Sequence, residues 1–118
     1  MHKVAVVVLS DIETHESLGR VVNALEFAKE LQDHDDDVQI VFDGAGTKWI
    51  PELEDESHKA HPLYKAVKGS IHGACKFCAK AFGAINEIRK TDIKLVDDYD
   101  DHPSLRKFLA DGYQIVTF

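Results

Sequence analysis

The sequence predicts an α/β domain, a three-layer α/β/α arrangement around a five-stranded parallel sheet. Two observations predict it. Apolar segments of strand length alternate with segments of helical period, in the order β-α-β-α-β-α-β-α-β. Such alternation implies right-handed crossovers onto a parallel sheet with helices on both faces. The first segment, Lys3 to Leu9 (KVAVVVL), is a nearly continuous β-branched run, which suits a strand buried on both faces.

The other elements follow in order. Ser10 to Glu16 is a polar loop, after which Leu18, Val21, Val22, Leu25, Ala28 and Leu31 recur at helical spacing. Thr14 or Ser17 is the expected cap, and the Asp-rich stretch from Asp33 ends the helix. Val38 to Phe42 (VQIVF) is a second strand, running into the turn Asp43-Gly44-Ala45-Gly46. Trp49, Ile50 and Leu53 fit one helical turn or two. Pro62 suits the first turn of a short helix carrying Leu63, Tyr64 and Val67, stopped by Gly69. Ser70 to Ala74 is placed as the third strand. Phe77, Cys78, Ala81, Phe82, Ile85 and Ile88 read as one helix, slightly weakened by Gly83 within it. Ile93 to Val96 is a fourth strand. Pro103 opens a last helix with Leu105, Phe108 and Leu109, Gly112 stops it, and Tyr113 to Phe118 closes the sheet.

Composition bounds the function. The chain has 118 residues, 44% hydrophobic and 30% charged, with net charge −7. That is one ordinary domain, long enough to bury a core without staples. No apolar run reaches the length of a membrane span, and no signal peptide is visible at the start. A soluble cytoplasmic protein is therefore expected, in which cysteines are thiols rather than bridges. Nucleic-acid binding is disfavoured, because phosphate contacts need clustered Lys and Arg. The acidic residues cluster instead, at Asp33, Asp35, Asp36 and Asp37 and at Asp97, Asp98, Asp100 and Asp101. These read as solvated turns.

In parallel sheets, chemistry gathers at the carboxyl ends of the strands. That rule picks out the loops 10–16, 43–47 and 75–78, which should share one edge. The last contains the two cysteines, Cys75 and Cys78. Cys75 falls at the end of the third strand and Cys78 in the first turn of the next helix. A helix N-terminus favours a thiolate, so a thiol here is expected to ionise near neutral pH, with Lys76 and Lys80 adding positive charge. A second thiol three residues on can attack a sulfur bound to the first. The bland alternative makes Cys78 a small buried hydrophobe on the helix's inner face. The thioredoxin arrangement fits poorly, because there the pair follows the first strand of its unit. A metal reading also stands. His72, Cys75 and Cys78 offer three ligands, with His58 and His61 shortly before, although a second CxxC is missing. The Asp43–Gly46 turn has neither a GxGxxG nor a Walker lysine pattern, and no G-x-S-x-G elbow is present. Trp49 is most simply a core or interface anchor.

Taken together, KVAVVVLSD before a long amphipathic helix, VQIVFDGAG, IHGACKFCAKAFG and the closing HPSLRKFLADGYQIVTF resemble the DsrE/DsrF-like family, whose fold is called YchN-like. The resemblance covers nearly the whole chain. It implies a five-stranded parallel sheet between helices, assembly as a homotrimer or homohexamer, and sulfur carried as a persulfide on the cysteine ending the third strand. Cys75 matches that position. Cys78 is an addition to the pattern, as a resolving thiol, a ligand or core packing. The function implied is sulfur relay between donor and acceptor proteins, with no cofactor and no metal. The alternatives are a metal-binding module built on His72, Cys75 and Cys78, and an oligomeric ligand binder in which the cysteines are incidental.

Overall fold

The computed structural model describes all 118 residues. The strands β1 (Lys3–Val8), β2 (Asp37–Phe42), β3 (Ile71–Cys75), β4 (Leu95–Val96) and β5 (Gln114–Thr117) form one parallel sheet in the order β4-β3-β2-β1-β5. The helices are α1 (His15–Asp33), α2 (Trp49–Glu54), α3 (His61–Val67), α4 (Lys76–Ala81), α5 (Ile85–Arg89) and α6 (Leu105–Ala110). Short 3₁₀ segments precede α2 (Gly44–Lys48) and β3 (Lys68–Ser70).

The strand order dictates which face each helix covers. From β1 to β4 the chain steps across the sheet in one direction, so right-handed crossovers place their helices on one face. The return from β4 to β5 runs the other way and carries α6 to the opposite face. The cores reflect this split. Val4, Val6, Val8, Ile40 and Phe42 pack with Leu25, Ile50, Leu53, Tyr64 and Ile88 in the larger cluster, and Ala5, Val7, Val41 and Phe108 form the smaller one. Alternation along β1 thus feeds both faces, as its unbroken apolar run requires. In register, Val6 lies opposite Ile40 on one side and Val116 on the other. The pairing of β2 with β3 slips between Ile40 and Val41, so that Val41 faces Gly73.

Local chemistry bounds α1 and α6. Thr14 caps α1, its side chain accepting from the Ser17 amide at 3.0 Å. Gly112, at φ +87°, closes α6 with bonds from Gly112 N–H to Leu109 O and from Tyr113 N–H to Phe108 O.

Two helical expectations are corrected. The single helix expected from Phe77 through Ile88 is two, because Gly83 takes a left-handed φ of +76°. The amide of Gly83 bonds Lys80 O and that of Ala84 bonds Ala79 O, a complete stop motif that turns the chain before α5. Pro103 does not open α6. The helix is capped one residue later by Ser104, whose hydroxyl accepts from the Lys107 amide at 3.1 Å.

No helix is long and apolar enough to cross a membrane. The same topology places a crevice. The connection from β3 leaves toward the larger core, and the one from its neighbour β4 leaves toward the smaller. Adjacent strands whose connections diverge in this way open a cleft beyond their carboxyl ends, the usual ligand position of open α/β sheets.

Candidate functional site

Cys75 ends β3 at that edge of the sheet and is fully buried. It also caps α4, where its Sγ accepts from the Cys78 amide at 3.3 Å. Cys78 is half-buried, one turn on. Its thiol donates to Asp43 Oδ1 at 3.4 Å, and that oxygen also accepts from the Gly44 amide at 2.8 Å. Asp43 arrives from the turn after β2.

The fourth member comes from the loop after β4. Nδ1 of His102 lies 3.2 Å from Cys75 Sγ. That loop is tightly pinned. Tyr99 and His102 exchange backbone bonds of 2.8 and 2.7 Å, and the Phe77 amide donates to Asp101 O at 2.9 Å. The Phe77 ring lies against the imidazole with centroids 4.7 Å apart. Asp100 and Asp101 both hold left-handed φ angles, +49° and +66°, a conformation Asp tolerates better than most side chains. One ligand atom from each of Asp43, Cys75, Cys78 and His102 lies within 4.8 Å of all the others.

The expectation of a thiolate near neutral pH is overturned. Burial pushes the Cys75 thiol up to about 12, against the opposing pull of the Cys78 amide. Burial raises Cys78 as well, with the Asp43 carboxylate adding to it. The six-residue α4 does not offset the loss of water around either sulfur. Lys76 spends its charge on Asp97, 3.4 Å away.

The structure unites the two cysteines but replaces the histidine expected beside them. His72 packs edge-on against Phe108 at 5.1 Å, in a polar pocket with Gln39, Asp98 and Lys107, and burial lowers its pKa. His58 Nδ1 accepts from the Ala60 amide, and His61 Nδ1 meets Leu53 O. Neither belongs to the cluster. Sequence reasoning missed His102. The signal was available, because the rule that selected the other carboxyl-end loops applies equally to the loop after β4. A strand of only Leu95 and Val96 gave little to anchor that loop.

The other chosen loops do share the edge. Lys48 pairs with Asp11 at 3.1 Å, and the buried Trp49 donates from its indole to Ser10 O at 2.9 Å. The Ser10–Glu16 loop is thereby spent on structure, with Asp11 paired and Thr14 capping.

The chain is 32% identical over 115 residues to the uncharacterized protein MJ0733 of Methanocaldococcus jannaschii, covering 97% of this chain and 93% of that one. Among solved structures, the conserved protein of unknown function BT1422 from Bacteroides thetaiotaomicron superposes with a TM-score of 0.65 at 16% identity, covering 97% of this chain and 94% of that one. The YchN protein of E. coli superposes over 100% of both chains with a TM-score of 0.60 at 17% identity. No protein-family model matches the chain.

Proposed function

Because the chain belongs to the same family as the Methanocaldococcus jannaschii protein MJ0733 and has the YchN-like fold, we propose that it is a sulfur-relay protein carrying persulfide sulfur on Cys75, with Cys78 as resolving thiol. One observation carries the reading. A thiol, an imidazole and a second thiol converge at the carboxyl ends of β3 and β4.

The chemistry balances without a cofactor. His102 Nδ1 takes the proton of Cys75. The thiolate attacks the outer sulfur of a donor persulfide, the donor's S–S bond breaks, and the departing thiolate receives the proton from the imidazole. Cys75 then bears S–SH. An acceptor thiolate can remove the outer sulfur directly. Alternatively, Cys78 attacks Sγ of Cys75 and expels hydrosulfide, leaving a disulfide that an external dithiol must reduce.

Donor and acceptor are proteins or small persulfides, and a reducing compartment such as the cytoplasm suits a free dithiol. Assembly as a homotrimer or homohexamer is part of the proposal, supported by the exposed Phe77, Phe82 and Leu109. A monomer in sedimentation analysis would remove that part.

The central test is mass spectrometry after treating the reduced, chelated chain with polysulfide. A gain of one sulfur, about 32 Da, should map to Cys75. Cys78→Ser should retain that gain longer than the native chain. Equal sulfuration of Cys75→Ser sinks the reading.

A further inference from the structure

We propose that Asp43, Cys75, Cys78 and His102 together form a closed tetrahedral site for a zinc-class divalent cation, and that filling it blocks sulfur acceptance. The site itself stands on geometry and does not depend on sulfur relay. Only the block rests on that reading.

The donors come from separate places: the turn after β2, the end of β3, the first turn of α4 and the loop after β4. Local folding gathers only Cys75 and Cys78, yet the ligand atoms of all four lie within 4.8 Å of one another. Zinc bonds of about 2.0–2.3 Å in a tetrahedron put neighbouring donors roughly 3.3–3.8 Å apart. The pairs Cys75–His102 at 3.2 Å and Cys78–Asp43 at 3.4 Å already lie near that edge length. A shift of about 1 Å or less closes the rest.

The donor set selects the ion. Two sulfurs, one imidazole nitrogen and one carboxylate oxygen are too soft and too few for calcium or magnesium, which take six or more oxygens. They match zinc in both number and type. All four positions are filled by protein, the pattern of structural rather than catalytic zinc.

The surroundings hold the ligands in place. The Cys78 amide donates to Cys75 Sγ, and the Gly44 amide donates to Asp43 Oδ1. Such outer bonds orient ligands and stabilise their negative charge. The His102 ring is fixed by the Tyr99 backbone pair and by Phe77. With Nδ1 as ligand, the ring proton sits on Nε2. Binding releases two thiol protons, and the site then sums to one negative charge: two thiolates and a carboxylate against the dication. Both sulfurs are bonded, so neither can attack a persulfide.

The test titrates the reduced, chelator-treated chain with zinc in competition with a chromophoric chelator. One zinc per chain is expected. His102→Ala, Asp43→Asn and Cys78→Ser should each weaken binding by roughly tenfold or more, and His72→Ala should not. Circular dichroism checks that each variant folds. Cobalt(II) in the native chain should show tetrahedral d–d bands with a thiolate charge-transfer band, a readout independent of any variant. Absence of stoichiometric zinc, or unchanged affinity in folded His102→Ala, overturns the site. Zinc-loaded protein should gain no sulfur from polysulfide until chelator is added. Equal sulfuration with zinc in place overturns the block. A chain that binds zinc but never takes sulfur, even when chelated, overturns the relay and the block and upholds the site.

Discussion

The imidazole of His102 and the thiol of Cys75 meet across two strand ends, Nδ1 to Sγ at 3.2 Å, although the residues are far apart in sequence. Burial keeps that thiol protonated, so its use as a nucleophile depends on a nearby proton acceptor. In metal-free protein, His102→Ala should therefore slow sulfur uptake by Cys75 about a hundredfold, within the usual range for a positioned base. Its fold should persist, and stopped mass-spectrometric time courses measure the effect. An unchanged rate removes His102 from the chemistry.

The two thiols should differ sharply toward a small alkylating agent. Cys75 has no exposed surface, and the loop bearing Asp101 and His102 lies over it. Cys78 is partly open to solvent. Peptide mapping after brief alkylation of the chelated chain should find the label on Cys78 first. Any label on Cys75 should grow when that loop is loosened, as in Tyr99→Gly. Preferential early labelling of Cys75 contradicts the burial described here.

Much of the fold was legible in the sequence because β1 and β2 are short and densely apolar. The run Lys3 to Leu9 announced a central strand, and β1 does sit between β2 and β5. The break at Gly83 was hidden because apolar residues kept a helical beat on both sides of it. Only the left-handed φ of Gly83, a backbone property, shows that the beat belongs to two helices. The site was half legible. Cys75 and Cys78 are neighbours in sequence, so their spacing carried the information. Their partners Asp43 and His102 are brought in by the pairing of β2, β3 and β4, and that pairing has no local signature. His72, close in sequence and drawn from the same strand as Cys75, instead points to Phe108.

The turn that delivers Asp43 tolerates no side chain at Gly46. A Cβ there would stand 2.1 Å from Val8 O, a main-chain atom within the sheet that cannot move aside cheaply. Gly46→Ala should cost about 2–3 kcal/mol, the scale of overpacking a well-filled core. Gly19, on the exposed face of α1, has nothing within 4 Å of its notional Cβ. Gly19→Ala should instead stabilise by roughly 0.5–1 kcal/mol through helix propensity. Urea midpoints at unchanged m separate the two outcomes, and equal midpoints would contradict the packing argument.

His34 makes the end of α1 sensitive to pH. Its Nδ1 lies 2.8 Å from Glu30 O, a carbonyl in the last turn of the helix that also accepts from the His34 amide at 3.2 Å. That backbone bond raises its pKa above 6.5, with the charges of Glu30 and Asp36 adding to the effect. The protonated ring also suits the negative end of the helix. A group whose pKa is raised by folding adds stability in full below its unfolded value, and loses it as pH climbs through the folded value. The melting-temperature gap between the native chain and His34→Ala should therefore be wider near about pH 5.5 than near about pH 8, on either side of the free histidine value. Taking the difference between the two proteins cancels the titration of the many surface carboxylates they share. A gap that stays constant, or widens toward alkaline pH, would mean that the ring serves the helix end only through its neutral hydrogen bond.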